Sequence, residues 1–181
     1  MSEPSPVLAQ AAALRHAFDR ARAIPISSEA VEQIENLLAI RLSGDAFAIR
    51  LSEISGLATD QKIVAFPSPI PELLGIAGIR GRLVPVYSLA ALLGYSANAD
   101  HGRWLALCGA EEPVGFAIND FEGYLRVPVG DIYVAEKRDV LSTHVSHLVR
   151  TSDTVRAVIS IPLLVEIIQR RCCDAGDSKE R

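Results

Sequence analysis

From Leu37 onward the chain is written in short runs rich in Val, Ile, Leu, Tyr and Phe, cut by compact turn signals at Gly44-Asp45, Gly81, Gly115 and Gly130-Asp131. Runs of this length and composition, bounded by turn residues, read as β-strands. They fall at residues 37–42, 46–51, 54–58, 62–66, 76–80, 82–87, 103–108, 114–119, 122–129, 145–151 and 155–160. Many short strands of this kind favour a barrel or sandwich over a parallel α/β sheet. Pro85 and Pro128 interrupt two of the runs. Proline has no amide hydrogen to give a ladder, so each predicts an edge position or a bulge.

Helical signals are few. Ala11, Leu14, Phe18 and Ala21 recur at three- and four-residue spacing with Arg15, Asp19, Arg20 and Arg22 around them, which predicts an amphipathic helix over 7–23. A second short helix is expected over 28–35, starting at Ser28. This extension, residues 1–36, reads either as a segment that packs on its own domain or as a docking helix for a partner. Ser88 and Gly94 bracket a short apolar helix at 89–93. Ser160 and Pro162 open another over about 162–171, with Leu164, Val165 and Ile168 on one side, followed by a polar tail at 172–181. The charged stretch 131–146, with Glu136, Lys137, Arg138 and Asp139, reads as loop. The strand–Ser–helix plan of Arg82–Leu93 is echoed at Val158–Ile168, a weak internal repeat that fits two lobes at about 37–94 and 103–171, with strands exchangeable between them.

Composition narrows the function classes. At 181 residues with 49% hydrophobic content the chain suits one domain or two small lobes with a packed core. The net charge of −4 argues against a nucleic-acid binder. No run approaches the ~20 apolar residues that span a bilayer, and the N-terminus lacks the basic and apolar regions of a signal peptide. Cys108, Cys172 and Cys173 make no even disulfide framework, so the expected compartment is the cytoplasm. No nucleophile elbow, P-loop, dinucleotide fingerprint or His-Glu-x-x-His motif occurs, so no catalytic residue and no cofactor are expected. His144 and His147 lie three residues apart without a carboxylate or thiol at ligand spacing, which argues against a metal. Cys172-Cys173 beside Arg170 and Arg171 reads as an ordinary pair near a helix end, and Cys108 as a small buried residue.

The most informative segment is 73–94. Gly78-Ile79-Arg80-Gly81 leads into Arg82-Leu83-Val84-Pro85-Val86 and then the Ser88 helix. Glycines on both sides of Arg80 permit positive φ at a tight turn, which lifts a guanidinium to a hairpin tip. Arg80 reads either as a surface charge anchoring local carbonyls or as a fork for a partner's carboxylates or helix C-terminus.

This segment resembles the signature of the CheW-like family, the adaptor domains of bacterial chemosensory arrays. The residues that carry it are Leu73-Leu74-Gly75-Ile76 and Ile79-Arg80-Gly81, then Val84-Pro85-Val86 and Leu92-Leu93-Gly94, and the likeness runs from about Leu37 to Ile168. The resemblance implies a mostly β fold of two small SH3-like five-stranded barrels side by side. It implies a non-catalytic adaptor that couples a CheA-type histidine kinase to the cytoplasmic helical tips of chemoreceptors. One lobe would pair with the kinase's regulatory domain, while a groove around Ile54, Gly56, Leu57, Gly78, Ile79, Arg80 and Gly81 would hold a receptor helix, with Arg80 at the position of the family's receptor-contacting arginine. The chain departs from the family pattern at four places. Gly56 stands for an acid, Gly78 for an asparagine, and Ser88 and Asn119 each for an aspartate. Ser88 keeps a capping oxygen, whereas Gly56 offers no side chain at all. The substituted surface leaves a second role open, a dedicated scaffold or inhibitory module in a pilus-motility or other non-flagellar pathway.

Overall fold

A computed structural model describes residues 33–96, 102–109, 112–134, 144–151 and 154–177. The expected helix at 7–23 lies outside these residues. Of the expected helix at 28–35, residues 28–32 also lie outside them, and Ile34 and Glu35 are in strand β1 instead.

The strands are β1 (Ile34–Leu42), β2 (Asp45–Arg50), β3 (Gly56–Thr59), β4 (Ile63–Val64), β5 (Leu73–Ile79), β6 (Arg82–Ser88), β7 (Trp104–Cys108), β8 (Val114–Ile118), β9 (Asp120–Pro128), β10 (Ile132–Val134), β11 (Val145–Arg150) and β12 (Val155–Ile159). Helix α1 (Leu89–Leu92) follows β6 directly, and α2 (Ile161–Asp177) follows β12. The segment expected as loop at 131–146 thus contains β10, a three-residue strand too short to show alternation. The C-terminal helix runs past residue 171 into the stretch expected as a polar tail.

Two sheets form, in the orders β10-β11-β12-β2-β1-β9 and β3-β7-β8-β6-β5-β4. Each therefore has six strands rather than five. The halves exchange strands: β1 and β2 join β9 through β12, while β7 and β8 join β3 through β6. Each sheet carries one parallel pair that closes this exchange, β12 with β2 and β6 with β8.

In the central strands of both sheets both faces are covered, and this sets their composition. In β8, Ala117 faces a cluster formed by its own sheet with Ala77, Ile79, Val84, Val86, Leu105 and Leu107. Its neighbours Phe116 and Ile118 face a central cluster with Leu38, Ile40, Phe47, Ile49, Ile159 and Leu164. In the first sheet Ala48 and Val158 face a third cluster with Leu37, Val127 and Val149, while Phe47, Ile49 and Ile159 face the centre. Period-2 alternation thus distributes side chains between two apolar environments, so the runs read as continuously hydrophobic. Edge strands β3 and β4 both contribute to the cluster of the second sheet through Ala58 and Ile63, so that sheet curls around it.

The prolines sit where a missing donor is tolerated. Pro128 ends β9, the outermost strand of its sheet. Pro85 lies inside β6 but one residue before pairing with β8 begins at Val86. Gly75 is required by close approach. Its φ is +146°, and a Cβ there would fall 2.2 Å from the Val64 carbonyl oxygen.

Candidate functional site

The β5–β6 hairpin ends in a two-residue turn, Arg80-Gly81, closed by the pair Ile79–Arg82. Arg80 has φ 50° and Gly81 φ 77°. Positive φ at both central positions gives the turn the twist that matches antiparallel strands. The left-handed conformation therefore falls on Arg80 itself and not on Gly78, at a cost of about 1 kcal/mol for a residue with a Cβ. Gly78 is exposed in β5, and a Cβ there would meet nothing within 4 Å. What Gly78 does is uncover its cross-strand partner Leu83, which is 78% exposed on the outer face.

On the other face lies a recess of about 180 Å³. Ile79, Val84 and Leu107 form its apolar floor, with Ser55, Arg80, Arg82, Gly109 and Pro113 around it. Gly56 borders it. A Cβ at Gly56 would stand 3.9 Å from Arg80 Nη2 and 4.0 Å from Leu107 Cδ1, so the arginine reaches over the start of β3. None of the ion pairs among the described residues includes Arg80.

The structure thus gathers Gly56, Ile79, Arg80 and Gly81 at one place. Ile54 and Leu57 do not join them, because both pack against the central cluster. Leu57 pairs with Ala106, which faces the centre, whereas Gly56 pairs with Leu107, which faces the recess. One step along a strand reverses the side chain. Ile79 is 7% exposed and serves as floor rather than as a projecting contact. Sequence reasoning missed Ser55, although it sits between Ile54 and Gly56, and it missed Leu107 and Pro113, which come from distant segments. It also missed Leu83, although the alternation Leu83 out, Val84 in, Pro85 out, Val86 in was there to be read.

A polar chain supports the recess from behind. The 3-10 turn Leu51–Glu53 carries the chain from β2 in one sheet to β3 in the other. Glu53 Oε2 accepts the Ile161 amide of α2 at 2.8 Å, and Oε1 accepts Arg50 Nη1 at 3.3 Å. Ser88 accepts the Ala91 amide at the head of α1, as expected. For α2, by contrast, the Ile161 amide is accepted by a carboxylate distant in sequence, and Ser160, expected as the cap, contributes its backbone carbonyl to the Leu164 amide. Arg50 also donates to Ser146 Oγ at 3.3 Å and to His147 Nδ1 at 2.9 Å. Burial, and then Arg50, hold His147 below the usual histidine value, against the opposing pull of Glu35 and Glu53. His144 is likewise lowered by burial and then by Arg171. Burial, with Glu53 adding to it, pushes the Cys108 thiol up to about 12. Among the described residues no group of three or more His, Cys, Asp or Glu could hold a metal ion, and no helix is long and apolar enough to cross a membrane.

Comparison with known proteins fits this geometry. The chain is 22% identical over 142 residues to the chemotaxis protein CheW of Thermotoga maritima, an alignment covering 78% of this chain and 93% of that one. The crystal structure of scaffolding protein TtCheW from Thermoanaerobacter tengcongensis superposes with a TM-score of 0.67 at 14% identity, covering 74% of this chain and 94% of that one. The model of the CheW-like domain matches residues 36–169. With most of its length inside that match, and two sheets that carry the fold, the chain belongs to the CheW-like family of scaffold and adaptor domains.

Proposed function

We propose that the chain is a non-catalytic, cytoplasmic adaptor of a bacterial chemosensory system, coupling a CheA-type histidine kinase to chemoreceptor helical tips, with the Arg80 recess as its receptor contact. The observation that carries this reading is the hairpin tip itself. A guanidinium is held out by a turn with positive φ at both positions, above an apolar floor of Ile79, Val84 and Leu107. Apolar contacts of that kind give a docked helix its affinity, and a fixed charge at the rim sets its register. Gly56 adds no side chain to this surface, so a partner meets backbone and apolar floor where the family pattern has an acid, while Gly78, in place of an amide, bares Leu83 on the opposite face. That favours a dedicated partner over a generic one, as a pilus-motility or other non-flagellar pathway would supply.

Charge reversal tests the contact. Arg80→Glu is expected to reduce capture of a receptor-tip fragment while kinase capture and the thermal midpoint hold, since exposed substitutions shift stability little. Undiminished receptor capture would refute the assignment of Arg80.

A further inference from the structure

The edge of the recess is set by residues 54–56, and these hang from the turn before them. The Ser55 amide and hydroxyl both donate to the Leu107 carbonyl, at 2.7 and 3.1 Å, and Gly56 then lies beside Arg80. The turn is held in place by Glu53, which bonds both the head of α2 and Arg50. Arg50 is in turn held by His147 Nδ1 at 2.9 Å. Arginine only donates and does not lose its proton. Nδ1 of His147 must therefore offer a lone pair, so the ring is neutral with its proton on Nε2. Protonating Nδ1 would set two donors, both cationic, against each other.

We propose that His147, Arg50 and Glu53 form a proton-sensitive latch that positions the 54–56 edge of the Arg80 recess and weakens partner binding in acid. The groups facing His147 are Arg50 at the end of β2, Glu35 in β1 and Glu53 in the turn. Burial and Arg50 outweigh the two carboxylates, so the latch is closed at neutral pH and opens as the ring is protonated. Opening frees Arg50 from its imidazole acceptor. The displaced guanidinium no longer aligns Glu53 with the Ile161 amide, and the Ile54–Gly56 edge keeps its Ser55 bonds to Leu107 but loses the support of the turn before it. The consequence for binding rests on Arg80 being the partner contact, whereas the latch itself needs no partner.

The test is a titration of the whole chain by two-dimensional NMR from about pH 7.5 to about pH 5, across the ordinary histidine range. The Ile161, Ser55 and Gly56 amide signals are expected to move with the same midpoint as the His147 ring. Affinity for a receptor-tip fragment is expected to fall by about fivefold over that range, the factor that one net hydrogen bond carries. His147→Gln keeps an acceptor but cannot be protonated, so it should abolish both dependences. Amide signals that stay still while His147 titrates, or that still move in His147→Gln, would overturn the latch. So would a ring that does not titrate above about pH 5. These signals are read without a partner, so their failure leaves the Arg80 reading standing. Undiminished capture by Arg80→Glu overturns that reading and leaves the amide signals untouched.

Discussion

Glu53 is a residue whose removal should cost this fold far more than an ordinary polar substitution. It is largely buried, with 15% of its side chain exposed, and it ties the crossover turn to a helix 108 residues further along the chain. Glu53→Ala removes the acceptor for the Ile161 amide, an end-of-helix hydrogen bond of about 1 kcal/mol. It also removes a negative charge from the positive end of α2, about 0.5 kcal/mol. Arg50, itself 19% exposed, loses its carboxylate while keeping Ser146 and His147, a further loss of about 1 kcal/mol. The unfolding free energy in urea should therefore fall by about 2–3 kcal/mol with an unchanged denaturant slope. Glu53→Gln keeps an oxygen for the amide and forfeits only the charge, so its loss should be about half as large. A change below about 0.5 kcal/mol for Glu53→Ala, within the range of an ordinary surface substitution, would refute the bridging role.

Three further outcomes follow from the same geometry. Gly75→Ala should leave little soluble folded protein, since its Cβ would press on the Val64 carbonyl, while Gly78→Ala should match or slightly exceed the native urea midpoint; equal effects would contradict the close approach. Cys172, exposed on α2, should react with a thiol reagent in the folded state, whereas Cys108, with its pKa pushed to about 12, should react only on unfolding, as peptide mass analysis would show. Both His144 and His147 are held below the ordinary histidine value, so the unfolded chain binds more protons between that value and the lowered ones. Their contribution to stability is complete above about pH 6.5 and is lost as pH falls below it; a urea midpoint that declines identically after both are replaced by glutamine would count against this.

Much of the fold is legible in local pattern. The expected strands at 82–87, 114–119 and 155–160 match β6, β8 and β12 closely, because period-2 burial and turn residues act over a few positions. The Ser88 cap and the prolines at 85 and 128 obey rules equally local. The candidate site was legible only as a hairpin. That Arg80 would take positive φ follows from the two-residue turn, but that Gly56 would face it while Leu57 turned away depended on the register of β3 against β7. Glu53 at the head of α2 had no local signal, since a cap from so far along the chain leaves no spacing to find.

The sequence by itself determined roughly where most strands lie, that the central ones are apolar on both faces, and that a guanidinium stands at a tight turn. Each of these is fixed by a residue and its near neighbours. Only the tertiary structure decided which strands share a sheet, sending β1 and β2 to β9–β12 and β7 and β8 to β3–β6. Backbone hydrogen bonds are the same for any partner strand. The choice of partner is therefore made by how three apolar clusters fill at once, and that filling also brings Gly56, Arg80 and Leu107 to one recess.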